Sequence, residues 1–188
     1  MQGLTLPLMA VLLSASAWAV REDLLSHRIP NRLTGSLLCV ALALQFGFGG
    51  WSGLGQAALG ALVGLAMLLP LYLLRATGAG DVKLLAAFGA LLDPRWALIA
   101  GVYTLISGAL LALVYLMLGT LRAAVVPAGA SWVLRIHNAR ERALELRRER
   151  FPYAIAVVVG VLAAVAQRGD LQALFDYLAR TSPMRPLQ

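Results

Sequence analysis

Six apolar runs separated by short polar segments organise the chain, at about residues 4–20, 33–48, 54–74, 82–92, 96–118 and 153–166. Continuous runs of this kind read as helices of a membrane bundle. Several fall short of the ~20 residues that cross a bilayer as a helix. The fourth is the shortest and must borrow "GAGD" and "DPRW" at its ends to span. Asp93-Pro94 reads as the turn between the fourth and fifth runs. Gly60 and Gly64 in the third run, and Ala156 and Gly160 in the sixth, form small-xxx-small faces that let helices approach closely. The predicted fold is all-α: a polytopic membrane helical bundle of about six transmembrane helices.

Composition strengthens this reading. Of 188 residues, 60% are hydrophobic and 13% charged, with a mean hydropathy of +0.78, too little polar surface for a soluble domain of this size. A single cysteine, Cys39, rules out an internal disulfide framework and any zinc site built from Cys-x-x-Cys pairs. Cys39 itself reads as a small apolar packing residue. The first run has Ala-x-Ala spacings as a signal peptide would, but "MQGLT" before it lacks the usual basic residue.

The net charge of +7 is mostly arginine, placed between apolar runs. With no aromatic-interleaved basic face, nucleic-acid binding is not expected. The charges instead orient the bundle. With the N-terminus outside, the inner segments hold Arg21, Arg28, Arg32, Arg75, Lys83, Arg122, Arg135, Arg140, Arg142, Arg147, Arg148 and Arg150, which is 12 of the 16 Lys and Arg. Only Arg95, Arg168, Arg180 and Arg185 fall outside. The predicted topology is N-out/C-out.

That topology brings two acids to one face. Asp23 follows the first run and Asp81 opens the fourth, with two crossings between them. Acids near hydrocarbon are costly and tend to be functional or paired. Taken singly, Asp81 also reads as a helix N-cap and Asp23 as a loop acid beside Arg21 and Arg28. Gly78 and Gly80 precede Asp81, offering φ > 0 and close approach of an extended peptide. Pro30, in Ile29-Pro30-Asn31, ends one element and shapes the start of the next.

The motifs "GAGDVK", "D…RIPN" ahead of it and "FPYAIAVVVG" opening the last run, in that order, resemble the type IV prepilin peptidases of the GxGD aspartyl protease superfamily. The resemblance spans nearly the whole chain. It implies catalytic Asp23 and Asp81, with Gly78, Gly80, Pro30, Asn31, Lys83, Pro152 and Tyr153 shaping the site. The bifunctional members carry a cysteine-paired methyltransferase insertion; this chain has no such pairs, so it is similar to the short, peptidase-only form of tight-adherence (Flp) pilus systems. The implied activity is aspartic endopeptidase cleavage of prepilin or pseudopilin leaders at the cytoplasmic face of a bacterial inner membrane, without cofactor or metal. Two neighbouring carboxylates suit this chemistry, because amide hydrolysis needs a base for water and an acid for the leaving nitrogen.

The remaining polar residues are less directive. His27, four residues after Asp23, faces it if the helix continues, whereas His137 lies in the basic loop. Lys83 points away from Asp81 on a helix and suits snorkelling at the interface. Ser26, Thr104 and Ser107 have no base partner, and no His/Glu cluster has metal-ligand spacing. The membrane domain is expected over residues 1–168, with a cytoplasmic loop at about 119–150. There Trp132, Ile136, Ala139, Ala143 and Leu146 form an apolar stripe flanked by arginines, suited to an anionic leaflet. Residues 169–188 read as an outer tail with a short interfacial helix carrying Leu171, Leu174, Phe175 and Leu178, Asp170 being its N-cap. Two alternatives stay open: a GxGD intramembrane protease with other substrates, and a small transporter or scaffold using Asp81 as a proton-linked residue.

Overall fold

The computed structural model describes residues 6–26, 29–124 and 153–169. Among them the chain is entirely helical: α1 (Leu6–Ser26), α2 (Asn31–Leu73), α3 (Ala79–Leu91), α4 (Pro94–Ala124) and α5 (Tyr153–Arg168). Two helices are long and apolar enough to cross a membrane, Asn31–Leu73 and Pro94–Val114, and α5 is a shorter apolar one.

The 43 residues of α2 are not one rod. Gly50 has φ 56° and ψ −142°, which breaks the helix into halves 31–49 and 51–73, each of roughly 20 residues. The halves run in opposite directions along α3. In the first, Asn31 reaches Lys83 and Gln45 donates from Nε2 to the Leu91 carbonyl at 3.2 Å. In the second the order reverses, with Gly60 against Gly89 and Gly64 against Leu85. The second and third apolar runs are therefore two antiparallel passes joined at a glycine, the residue for which positive φ costs least.

α3 is the centre of the molecule. It touches all four other helices, and ten of its 13 residues are buried. A helix that is apolar all round must lie inside. Glycine makes its contact with α2 possible: a Cβ on Gly60 would lie 2.7 Å from the Leu92 carbonyl oxygen, and one on Gly64 2.5 Å from that of Leu85. α4 and α5 pair antiparallel, with Gly160 on Thr104 and Ser107 donating to the Ala156 carbonyl at 2.8 Å. At the far end Arg168 meets Asp93 at 3.2 Å and stacks 5.7 Å from the Trp96 ring centre. Both predicted small-residue faces are helix contacts.

The outer surface is apolar, with Trp51 80%, Leu73 71% and Leu62 61% exposed. Cys39 lies on this outer surface, not in the packed interior its apolar run suggests: a run buried in lipid and one buried in protein read alike in sequence. Two boundaries also differ. α1 continues through "REDLLS" to Ser26, so Asp23 sits on helix and not in a loop; arginine, glutamate and leucine favour helix, and Trp18 bonds Glu22 one turn on. α4 continues to Ala124, past the expected loop start at about 119. The rest of that loop and the tail 170–188 lie outside the described residues.

Candidate active site

Three parts of the chain meet at one end of the bundle. The last turns of α1 bring Asp23, the start of α3 brings Asp81, and the start of α5 brings Tyr153 and Ala154. Both acids are enclosed, Asp23 at 5% and Asp81 at 8% exposure, and they act on each other electrostatically.

Each carboxylate is held by the N–H of a helix start. Asp81 Oδ2 accepts the Gly78 N–H at 3.1 Å. Gly78 is the N-cap and Asp81 the third helical residue, so Asp81 is not itself the cap. The reason is that Gly78 has extended backbone, φ −81° and ψ 152°, and its carbonyl already accepts the Asp81 N–H at 3.2 Å. Asp23 Oδ2 accepts the Ala154 N–H, 131 residues away, at 3.2 Å. Helix N-termini are suited to holding carboxylates in this way.

The glycines of "GAGD" serve space, not an unusual backbone. Neither has positive φ. A Cβ on Gly78 would stand 3.2 Å from Asp81 Oδ2, and one on Gly80 3.0 Å from Ile29 Cβ. The close approach at Gly80 is thus to the chain's own Ile29. Pro30 is the N-cap of α2, and its carbonyl accepts the Leu33 N–H at 3.0 Å. Lys83 donates from Nζ to Asn31 Oδ1 at 3.0 Å. The two motifs are joined by these contacts, Ile29 on Gly80 and Asn31 on Lys83.

Tyr153 is 7% exposed and opens α5, with its phenol over Gly108 of α4. Pro152, His27 and His137 lie outside the described residues, as does the side chain of Ser26. Ser107 and Thr104 serve the α4–α5 contact. The Ala154 N–H and the hollow at Gly108 were not read from sequence. A backbone donor leaves no residue-type signal, and a lone glycine inside an apolar run reads only as tolerated.

The arrangement offers two buried carboxylates that share a field, at the mouth of an apolar bundle. Two such carboxylates can supply a base and an acid to the same reaction. The sequence model of the type IV leader peptidase family matches residues 8–117. No curated protein and no solved structure matches the chain.

Proposed function

The chain belongs to the type IV leader peptidase family and is a protease of the aspartic leader-peptidase type; from this premise we propose that it cuts leaders from prepilin-like precursors at the cytoplasmic face of a bacterial inner membrane, with Asp23 and Asp81 as its catalytic pair. The observation that supports the pair is that two acids 58 positions apart in the chain are both buried and coupled at one end of the bundle.

The substrate is a short polar leader, a glycine at the cut and then an apolar helix. The helix lies in lipid against the exposed apolar surface, and its polar end brings the bond to the depth of the two acids. One carboxylate takes a proton from water as the water oxygen attacks the scissile carbonyl. The other gives its proton to the leaving nitrogen as the C–N bond breaks. No covalent intermediate forms. Gly78, Gly80, Pro30, Asn31, Lys83 and Tyr153 shape this site from the starts of α2, α3 and α5, and Pro152 is assigned to it by its motif alone.

The membrane reading is six passes, N-out/C-out, with α2 contributing two. Among the described residues, exposed Arg21, Arg32, Arg75 and Lys83 flank the acid end, as a cytoplasmic face requires. The arginine-rich sequence after Ala124 suits contact with anionic lipid. The pilus served is of the tight-adherence type, consistent with the absence of cysteine pairs.

The deciding experiment is co-expression with a precursor of this design, following its gel shift. Wild type should cut, and Asp23→Asn and Asp81→Asn should each lower the rate by about 10²–10⁴-fold while accumulating normally in the membrane. Cutting by both variants at the wild-type rate would remove the pair from the mechanism. Proton-coupled uptake into vesicles that Asp81→Asn abolishes would favour a transporter instead.

A further inference from the structure

Buried polar atoms nearly all have a hydrogen-bond partner, and one that has none calls for a reason. Among the described residues two buried side-chain atoms have none, Ser16 Oγ and Thr77 Oγ1. One belongs to the segment that carries Asp23, the other to the segment that leads into Asp81.

Ser16 is 4% exposed on α1. Asp23 follows it by seven residues, which is two turns, so both lie on one helix face about 10 Å apart along the axis. Between them on that face is buried Ala19, whose side chain is a single methyl. Helical hydroxyls commonly bond a carbonyl of their own preceding turn. Ser14, Thr34, Ser36, Ser52, Thr104 and Ser107 all do so, at 2.8–3.3 Å. Ser16 does not, so its hydroxyl is not taken up by its own helix. Thr77 stands in the connection before α3 and directly precedes Gly78, whose N–H holds Asp81 Oδ2 at 3.1 Å. Four covalent bonds separate Thr77 Oγ1 from that nitrogen, which keeps them within about 5 Å.

Hydrolysis consumes one water for each bond cut. Both acids are enclosed, and the bundle around them is apolar, so water for the reaction must be held inside. Internal water settles where buried polar groups give it two to four partners, and apolar hollows stay dry. A hydroxyl both donates and accepts. Beside Ser16, the carbonyls of the preceding turn each keep a second lone pair for such a water. Beside Thr77, the Asp81 carboxylate keeps lone pairs beyond the one that Gly78 fills.

We propose that Ser16 and Thr77 hold the internal water of the active site, one hydroxyl toward each acid, and that the attacking water is drawn from it. This rests on the two-aspartate reading above.

The test uses the full-length protein in detergent and a precursor with a short polar leader, a glycine at the cut and an apolar helix. Ser16→Ala and Thr77→Val remove the hydroxyl and keep the rest of the side chain's shape. In each, kcat should fall about 3–10-fold, the effect of losing one hydrogen bond to water, with KM little changed. The unfolding midpoint should stay or rise, because no protein partner is lost. Thr77→Ser keeps the hydroxyl and should cut as wild type does. A second readout does not use activity. X-ray radiolysis labels side chains that lie next to bound internal water. Leu12 is 0% exposed and lies one turn before Ser16, so it should be labelled in wild type and several-fold less in Ser16→Ala. A kcat within twofold of wild type in either variant overturns the proposal. So does equal labelling of Leu12, or a lowered midpoint, which marks a bond to protein. Asp81→Asn in the same assay separates the two readings. If it still cuts, the two-aspartate reading has failed; if it is dead while Ser16→Ala and Thr77→Val cut normally, only the water proposal has.

Discussion

At the residue scale, the two acids are held alike and placed differently. Asp81 is bonded to its own helix start through Gly78, whereas Asp23 is bonded to another helix through Ala154. A water-activating pair needs one carboxyl ionised and the other protonated, so the cleavage rate should trace a bell against pH. Its two limbs belong to the pair and not to either residue. A rate that only rises or only falls from acid to alkaline pH would count against shared duty. Lys83 and Asn31 allow a second test. Their bond ties the starts of α2 and α3, and a double-mutant cycle on Lys83→Met and Asn31→Ala should show about 0.5–1.5 kcal/mol of coupling. Additive effects would make the contact incidental. The acids were legible as residues, from two carboxylates in a chain with only nine Asp and Glu. Their N–H partners were not, since any residue type supplies a backbone donor.

At the element scale, glycine decides where helices meet and where they turn. α2 ends in a Schellman arrangement: Ala76 N–H bonds the Leu71 carbonyl at 2.8 Å and Arg75 N–H that of Tyr72 at 2.9 Å. The left-handed position is Arg75, with φ 59°, where glycine is usual. Arg75→Gly should raise stability by about 1 kcal/mol, read as a higher unfolding midpoint in detergent. The α2–α3 seam behaves oppositely. Gly60 and Gly89 leave no room for a side chain, so Gly60→Leu should cost at least about 2 kcal/mol. Gly35 has nothing within 4 Å of an added Cβ, and Gly35→Ala should be neutral or stabilising by up to about 1 kcal/mol. Equal melting points for Gly60→Leu and Gly35→Ala would deny the seam its role. The spacing of Gly60 and Gly64 announced a close helix contact, but which helix would fill it was not written there. The glycines before Asp81 read as sites of both unusual backbone and close approach; only the close approach is seen, and to the chain's own Ile29, because spacing cannot tell absence of Cβ from freedom of φ.

At the scale of the whole molecule, the arrangement is a short buried helix ringed by longer ones with an apolar outer face. The turn at Gly50 is flanked by Phe46 and Trp51, whose rings meet edge to face at 5.5 Å, as aromatic residues do at a membrane interface. Of the basic residues exposed among the described residues, Arg21, Arg32, Arg75 and Lys83 lie at the acid end and Arg95 at the other. A reporter fused after Asn138 should therefore read cytoplasmic, and a tag inserted at Gly50 should read as outside. The reverse pair of signals would invert the bundle and put the acids on the wrong side for a cytoplasmic leader.

The sequence alone determined that this chain is helical and apolar, roughly where each helix lies, and which two carboxylates stand apart from the rest. Those are local properties: hydropathy over a window, a glycine, a charge beside a greasy run. Only the tertiary structure decided which runs face lipid and which face protein, since both environments select the same residues; Cys39 and Phe88 read alike and lie on opposite sides of that divide. It also decided that α3 is the centre, that Ile29 fills the space over Gly80, and that α5 brings the Ala154 N–H to Asp23. Those depend on contacts between segments far apart in the chain, whose geometry is fixed by packing and leaves no periodic trace along it.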